Sequence, residues 1–389
     1  MAGIKACVKP YDKILVARNC HKSVYNAIEL NFLEPVFIEP EKNEFNIDLD
    51  ISAEQIEKAL KEHQDIKLVV ITSPNYEGVI SNIKRISEIA HMYNIPVLVD
   101  EAHGAHLNFV KELKEVEAIN SGADIVVQSL HKTLPALTQT AIMHIQGNMV
   151  SENKVERALD IFETSSPSYI LMSSIDECLT IIEEKGIVLF EKYEKNLKEF
   201  YTKINELKKL KVLKNCLTNN IKYDSGKIVV ITEGTNINGK QLADILRIKY
   251  NIEVEMANVN YIIAMTSICD DNKNFEKLAD ALIEIDERLE YKNEKEQKYS
   301  TNIPERKMSI KETEMLKDFK FINFRQALGM VSKEYIWIYP PGIPIITPGE
   351  VISQEIIEKL ESIMQSDISV KTSCGKFPEI AVIRQRNAD

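Results

Sequence analysis

Closely spaced cysteines are absent from this sequence. The 389 residues contain six cysteines, and no two of them show the Cys-x-x-Cys spacing. They are Cys7, Cys20, Cys178, Cys216, Cys269 and Cys374. Scattered cysteines argue against a structural zinc site and a disulfide scaffold, and they suit a reducing compartment. We therefore expect a cytoplasmic protein without a metal site.

Long hydrophobic runs and excess positive charge are also absent. No apolar run approaches the roughly 18 residues that a membrane-spanning helix needs. The N-terminus, MAGIKACVKPYDK, lacks the apolar core of a signal peptide. The net charge of -11 argues against a general nucleic-acid surface. We expect a soluble protein that binds neither membranes nor nucleic acid.

Residues 1–150 alternate short β-rich runs with helical patterns. Ranges 13–18, 34–39, 67–72, 96–100 and 124–129 have the continuous apolar character of buried parallel strands. Ranges 52–63 and 82–94 have the apolar spacing of amphipathic helices. Ser52 is positioned to cap the first helix, with Gln55 completing a capping box. This alternation predicts an α/β fold with a mostly parallel sheet.

The rest of the chain predicts a helical region, a smaller α/β unit and a closing segment. Apolar runs at 226–232, 252–258 and 261–267 alternate with helical patterns, and 292–309 is polar and nearly free of apolar residues. We expect four units: a major domain over 1–218, a small α/β domain over 219–291, a polar connection over 292–318 and a C-terminal subdomain over 319–389.

Polar residues follow two of the predicted strands. Asp100 ends the strand at 96–100, and Ser129 ends the strand at 124–129, just before His131 and Lys132. Ligands collect at the carboxyl ends of the strands in open parallel sheets. The spacing suits a single crossover, so Asp100 and Lys132 can face one crevice. The two could also simply pair as a buried salt bridge, and the spacing leaves this less favoured interpretation open.

A buried amine and a carboxylate on adjacent strands are the pair that pyridoxal phosphate uses. The lysine forms an imine with the cofactor aldehyde, and removal from water helps to keep the amine nucleophilic. A carboxylate against the ring nitrogen keeps that nitrogen protonated, which makes the ring a better electron acceptor. Ser129 and His131 stand beside Lys132 and would supply hydrogen bonds to the phosphate.

Several stretches closely resemble the pyridoxal-phosphate decarboxylases that act on ornithine, lysine and arginine. They are KILVARNCHKSVYNA (13–27), VVITSPNYEGV (69–79), DEAHGAH (100–106), ADIVVQSLHKTLPALTQTA (123–141), SSPSYILMSSIDE (165–177) and YPPGIPIITPGE (339–350). The similarity is collinear over nearly the whole chain, and SLHKTLPALTQ (129–139) is its most specific part. The resemblance implies the aspartate-aminotransferase type of fold, fold type I: a large domain with a mostly parallel sheet and a smaller C-terminal α/β domain.

The resemblance also implies catalytic roles for three residues. Lys132 would form the imine with the cofactor and, once released by substrate, would help to transfer a proton. Asp100 would pair with the ring nitrogen. His21 would stack on the face of the cofactor ring opposite the leaving carboxylate.

Further residues would bind the cofactor or lie at its edge. By resemblance, His103 lines the ring, although a hydrogen-bonded structural histidine is the alternative. Ser129 and His131 would contact the phosphate. Tyr169 and Glu350 could line the pocket or an interface, and a structural role fits each of them equally well.

The implied reaction releases carbon dioxide from arginine, lysine or ornithine and leaves the corresponding amine, as in polyamine biosynthesis. The sequence does not choose among these cationic substrates. Relatives work as homodimers or higher homo-oligomers, which we expect here too. Relatives usually carry a preceding segment whose Gly-Ser-Thr-type loop binds the cofactor phosphate. We expect this chain to lack that segment, which makes a catalytically impaired remnant one alternative. Another fold-type-I reaction, such as transamination, is a second alternative.

Overall fold

The computed structural model describes residues 1–218, 220–292, 303–339, 342–366 and 368–384. Position 219, where the small domain is expected to begin, lies outside the described residues. So do 293–302 of the expected polar connection and 385–389 of the expected C-terminal subdomain. The bounds of the four expected units stay predictions.

A six-stranded sheet lies at the centre of the first half of the chain. The strands of this half are β1 (Lys13–Ala17), β2 (Glu34–Ile38), β3 (Ile66–Thr72), β4 (Val79–Ile80), β5 (Val97–Asp100), β6 (Ile125–Ser129) and β7 (Ala141–Ile145). All but β4 form the sheet, in the order β2-β1-β3-β5-β6-β7. Every pairing is parallel except that of the edge strand β7 with β6. The predicted α/β fold with a mostly parallel sheet is confirmed.

The helices of the first half are α1 (Ala2–Cys7), α2 (Lys22–Leu30), α3 (Ala53–Glu62), α4 (Ile83–Met92), α5 (Leu130–Thr133), α6 (Glu152–Phe162) and α7 (Tyr169–Lys203). Buried residues of α1 to α4 and of α6 pack in one apolar cluster with this sheet, whereas those of α7 pack with a later part of the chain. The predicted capping box begins α3: the Gln55 N–H donates to Ser52 Oγ at 3.2 Å, and the Ser52 N–H donates to Gln55 Oε1 at 2.9 Å. Two of the four otherwise unpaired N–H groups at this helix start are thereby satisfied.

A second sheet follows and is antiparallel. The elements of this region are β8 (Lys211–Val212), α8 (Leu213–Cys216), β9 (Lys222–Tyr223), β10 (Lys227–Ile231), α9 (Gly239–Tyr250), β11 (Met256–Ala257), β12 (Tyr261–Met265) and α10 (Asn272–Arg288). The sheet order is β11-β12-β10-β8, while β9 pairs with β4 of the first half. The β4–β9 pairing brings the start of β10 towards the carboxyl edge of the large sheet.

The last part of the chain forms a small unit with its own apolar cluster around Phe324, Ile336 and Leu360. Its elements are α11 (Ile310–Met315), β13 (Phe319–Asn323), β14 (Ile336–Ile338), β15 (Ile343–Ile346), α12 (Gln354–Gln365), β16 (Val370–Thr372) and β17 (Glu379–Ile383). No helix within the described ranges is both long enough and apolar enough to cross a membrane.

Candidate active site

The carboxyl ends of β5 and β6 form the floor of the candidate site. Asp100 is the last residue of β5 and pairs in register with Val127 of β6, two residues before Ser129 ends that strand. The chain then turns into α5, a single helical turn that carries Lys132. The parallel register thus places Asp100 and Lys132 at one edge, as predicted from their strand positions.

The amine of Lys132 faces a histidine. Its Nζ lies 2.9 Å from Nε2 of His103. Partial burial lowers the pKa of Lys132, while the negative charges of Asp100 and Glu255 oppose that shift. No ion pair joins Lys132 to Asp100 among the described residues, so the simple buried salt bridge is not what this site contains. A lowered pKa raises the neutral, nucleophilic fraction of the amine.

His103 is the most buried ring of the site, with 4% of its surface exposed. Its ring packs edge-to-face on Tyr76, with 4.9 Å between the ring centroids. Burial, reinforced by the positive charges of Lys227 and Lys132, lowers the pKa of His103 well below its usual range. The imidazole is therefore neutral near pH 7, with one nitrogen that donates and one that accepts.

Asp100 supplies negative charge to the crevice. Its Oδ1 accepts a hydrogen bond from the Ala102 N–H at 3.1 Å, which orients the carboxylate. Burial lowers the pKa of Lys132 and of His21, and the negative charge of Asp100 partly opposes that lowering. This arrangement suits a carboxylate that holds a proton on a nearby ring nitrogen.

His21 is the N-cap residue of α2, and it is solvent-exposed. Its Nδ1 accepts a hydrogen bond from the Ser23 N–H at 3.3 Å and lies 3.0 Å from Ser23 Oγ. Partial removal from water lowers the pKa of His21, and Asp100 opposes that shift. The N-cap contact orients the ring, and the ring is accessible to a ligand that enters the crevice.

Ser129 and His131 flank Lys132 in the chain. Ser129 occupies the N-cap position of α5, but its side chain makes no capping hydrogen bond. The Nδ1–H of His131 donates to the Thr140 carbonyl at 2.9 Å. Nε2 is then the ring atom left for a ligand, and it can donate to a phosphate only when the ring is protonated. The serine hydroxyl is thus the simpler phosphate donor of the two.

The structure adds residues to which sequence reasoning assigned no role. Lys227 begins β10, is completely buried, and places Nζ 2.5 Å from Nδ1 of His103. The Tyr76 hydroxyl donates to Glu255 Oε1 at 2.7 Å. The only sequence signal for Lys227 is a charged residue at the start of the apolar run KIVVI, and such a residue usually lies at the exposed end of a strand.

Tyr169 and Glu350 are the two residues that the sequence suggested for the pocket or an interface. Tyr169 begins α7 and is 76% exposed. Glu350 is completely buried and forms ion pairs with two arginines, Arg18 at 2.8 Å and Arg306 at 3.2 Å. Its observed contacts are structural ones between distant parts of the chain.

The donor set of the crevice fits pyridoxal phosphate. The amine that would react with an aldehyde is partly buried and has a lowered pKa, and a carboxylate charge acts on it from the neighbouring strand end. An imidazole that the local field keeps neutral lies within hydrogen-bond distance of that amine. The amine and the carboxylate are the groups that the chemistry of this cofactor requires of a protein.

Comparisons with known proteins identify the family of this chain. The family model described as "Orn/Lys/Arg decarboxylase, major domain" matches residues 1–231, and the corresponding C-terminal domain model matches residues 292–369. An arginine decarboxylase of Bacillus anthracis is 33% identical over 385 residues, which cover 95% of this chain and 76% of that protein. An arginine decarboxylase of Bacillus subtilis is 31% identical over 399 residues, which cover 100% of this chain and 80% of that protein.

Solved structures of other proteins share this fold. The lysine decarboxylase LdcF of Francisella novicida superposes with a TM-score of 0.80 at 19% identity, covering 98% of this chain and 68% of that one. At this level of sequence identity, the structural similarity indicates a shared fold. The family models and the curated relatives indicate common descent. The chain therefore belongs to the Orn/Lys/Arg decarboxylase family.

Proposed function

We propose that this protein decarboxylates a cationic amino acid with pyridoxal phosphate, and that arginine is its first candidate substrate. The observation that carries the proposal is the partly buried amine of Lys132, which lies 2.9 Å from the neutral ring of His103 and is acted on by the charge of Asp100. Family membership favours decarboxylation over transamination. The arginine decarboxylases among the curated relatives favour arginine over lysine and ornithine.

The cofactor, when bound, supplies an aldehyde and a ring that accepts the electron pair left when a carboxylate departs. Lys132 would hold it covalently, and Asp100 would keep a proton on its ring nitrogen. His21 would cover one ring face, His103 would line the ring edge, and Ser129, with His131, would donate to the phosphate. Lys132, once displaced by the substrate amine, would return a proton to the substrate Cα.

Charge near Lys132 favours a cationic side chain. Asp100 and Glu255 are the negative groups that act on its amine. Glu255 lies on the segment before β11, is solvent-exposed and accepts a hydrogen bond from the Tyr76 hydroxyl. Since Asp100 serves the cofactor in this scheme, we assign Glu255 to the cationic end of the substrate.

The decisive experiment combines cofactor labelling with product analysis. Addition of pyridoxal phosphate should give an absorbance band, borohydride should fix the cofactor to Lys132, and arginine should yield carbon dioxide in larger amounts than lysine or ornithine. Label on another lysine would refute the site. A keto acid in place of an amine would indicate transamination, and neither band nor product would indicate a catalytically impaired chain.

Two variants control this experiment. Lys132→Ala should abolish both the label and the carbon dioxide. Lys214→Ala should leave both unchanged, although burial also lowers the pKa of Lys214. If the label is lost only in Lys132→Ala, the cofactor reacts with Lys132 because of its position in the crevice and not because of a lowered pKa alone.

A further inference from the structure

A second cleft lies at the carboxyl ends of β1 and β2, on the opposite side of β3 from the candidate active site. Its other wall is formed by β15 and α12 of the unit at the end of the chain. The cleft holds about 690 Å³ including its open mouth, which is within the range of small-molecule pockets, roughly 300–1,000 Å³. None of Asp100, His103 and Lys132 lines this cleft, which we call the β1–β2 cleft.

Asn19 and Glu39 lie on the sheet side of the β1–β2 cleft. Ala17 ends β1 opposite Ile38, which ends β2, so the residues that follow both strands leave the sheet at one edge. Asn19 is 8% exposed, and its Oδ1 atom accepts no hydrogen bond. Among the described residues, the Glu39 carboxyl group forms no ion pair and accepts no hydrogen bond. Burial raises its pKa, and the positive charge of Lys42 opposes that shift.

Lys359 of α12 lies on the opposite wall and is half-buried. Within the part of the chain that the structure describes, no hydrogen bond or ion pair reaches its Nζ atom. Burial lowers the pKa of Lys359 to about 8, and the charge of Lys42 adds to that shift, so the amine is mostly protonated at pH 7. A partly buried cation without a counterion is unfavourable. This amine is therefore suited to a bound anionic group.

The other charged groups of the β1–β2 cleft are paired or solvated. Lys42 pairs with Asp48 at 3.1 Å, and Arg18 pairs with Glu350 at 2.8 Å. Glu355 lies at the exposed start of α12, where water solvates its charge. The groups left without partners are thus an amine on one wall and a carboxyl group with an amide oxygen on the other. These groups form no ion pair with each other in the described structure, so a ligand can bind between them.

We infer that the β1–β2 cleft binds a small zwitterion of the amino-acid type, with its carboxylate on Lys359 and its ammonium group on Glu39 and the Asn19 Oδ1 atom. A zwitterion would satisfy all three groups at once, whereas an anion would leave the two acceptors unpaired and a cation would leave the amine unpaired. Ile345 and Ile356 line the same cleft, so the side chain of the ligand should be apolar. Binding of this kind is independent of the decarboxylation proposed for the crevice at Lys132.

Isothermal titration calorimetry at pH 7 with L-leucine tests the site. The unmodified protein should bind one leucine per chain. Two analogues, 4-methylpentanoate without the ammonium group and 3-methylbutylamine without the carboxylate, should each bind at least about tenfold more weakly, since each lacks one charge-assisted hydrogen bond. No binding of leucine, or an equal affinity for leucine and either analogue, would overturn the inference.

Two variants assign the charges of the ligand to the two walls. Lys359→Met should weaken leucine binding about tenfold without weakening that of 3-methylbutylamine, which has no carboxylate for Lys359. Glu39→Gln should weaken leucine binding without weakening that of 4-methylpentanoate, which has no ammonium group for Glu39. A general packing defect would weaken all three probes alike and would contradict these roles. If either variant fails to fold, the comparison of the three probes on the unmodified protein decides.

Two further variants are controls. Glu355→Gln should leave the affinity for leucine unchanged, and a loss of binding in Glu355→Gln but not in Glu39→Gln would contradict the assignment of the ammonium group to Glu39. Lys132→Ala should bind leucine as tightly as the unmodified protein. Loss of leucine binding in Lys132→Ala would place the amino acid in the candidate active site and would overturn the inference.

Discussion

Glu77, the neighbour of Tyr76 in the chain, is a buried carboxyl group. Its Oε1 accepts a hydrogen bond from the Tyr261 hydroxyl at 2.6 Å. Burial raises the pKa of Glu77 from 4.5 to about 7, and the nearby charge of Asp48 adds to that shift. A carboxyl group of this kind is held more readily in its protonated form in the folded protein than in the unfolded chain.

The pH dependence of stability follows from this shift. Below about pH 4.5 both states bind the proton; between 4.5 and about 7 the unfolded state releases it first, so the free energy of unfolding should fall as the pH rises. Glu77→Gln should remove this part of the slope and should be the more stable protein at pH 8. Urea denaturation at pH 4.5, 6 and 8 measures the free energy of unfolding.

The matched control is Glu44→Gln, at an exposed site, which should retain the pH dependence of the free energy of unfolding. An equal pH dependence in Glu77→Gln and in the unmodified protein would contradict the assignment.

Glu255 has the opposite character, because it is an exposed carboxylate whose charge reaches Lys132. Glu255→Gln should raise KM for arginine by about fivefold, since an exposed ion pair contributes up to about 1 kcal/mol. Steady-state kinetics measures KM and kcat separately. The exposed neighbour Glu253, changed to Gln, is the matched control and should leave KM unchanged. Equal KM values for both variants would remove Glu255 from substrate recognition.

At the scale of elements, the solvent-exposed side of α7 carries apolar residues spread along the helix. Ile170 is 74% exposed, Ile187 79% and Val188 69%. This side of α7, called the α7 face below, contacts the loop after Lys132, where the Leu137 N–H donates to Ser174 Oγ at 2.9 Å. Large exposed apolar residues grouped on one element are typical of interaction surfaces. We propose that a second copy of this chain covers the face, which would place the dimer interface next to the active site.

A charge on this face should prevent the association. Ile187→Glu would set a carboxylate in the apolar contact, where its desolvation is unfavourable, so the dimer should dissociate at micromolar concentrations. Sedimentation velocity measures the mass of the species. The matched control is Ile248→Glu on α9, where the isoleucine is 76% exposed. This variant should leave the mass unchanged. A monomeric unmodified protein, or a dimeric Ile187→Glu variant, would contradict the proposal.

At the scale of the whole molecule, a buried charge cluster joins the first and last parts of the chain. Arg18, one residue beyond the end of β1, donates from Nη1 and Nη2 to the two carboxylate oxygens of Glu350 at 3.0 and 2.8 Å. Arg306 adds a third hydrogen bond at 3.2 Å, and the Thr347 N–H donates to the same carboxylate at 2.7 Å. Every oxygen of Glu350 is thereby satisfied, which is the condition for a buried carboxylate to persist.

Removal of this carboxylate should destabilise the whole fold. Glu350→Ala leaves two arginines unpaired, and such a loss typically lowers the free energy of unfolding by about 3–5 kcal/mol. Urea denaturation followed by circular dichroism measures the change. The exposed pair Arg325–Glu361, 2.7 Å apart, supplies the control: Glu361→Ala should change the free energy of unfolding by less than about 1 kcal/mol. A comparably small effect of Glu350→Ala would show that the cluster does not hold the two parts together.

Local patterns determined much of the fold in advance. The strands that end at Asp100 and Ser129 were predictable from their continuous apolar character, and the Ser52–Gln55 capping box from four consecutive residues. The proximity of Asp100 and Lys132 was also predictable, because parallel strands end at the same edge of a sheet. Lys227 and Glu350 were not predictable in the same way, since their partners lie far away in the chain and no spacing rule connects them.

The sequence by itself determined the α/β class, the crevice at the ends of β5 and β6, and the family, because periodicity, strand ends and collinear motifs are local information. Only the tertiary structure decided that His103 lies between two amines, that Glu350 pairs with Arg18 and Arg306, and that the α7 face stays exposed. The physical reason is that burial, and with it the pKa of a side chain, depends on which distant segments pack around it. In Lys132 the two kinds of information meet: its position follows from β6, and the lowered pKa of its amine follows from the packing around it.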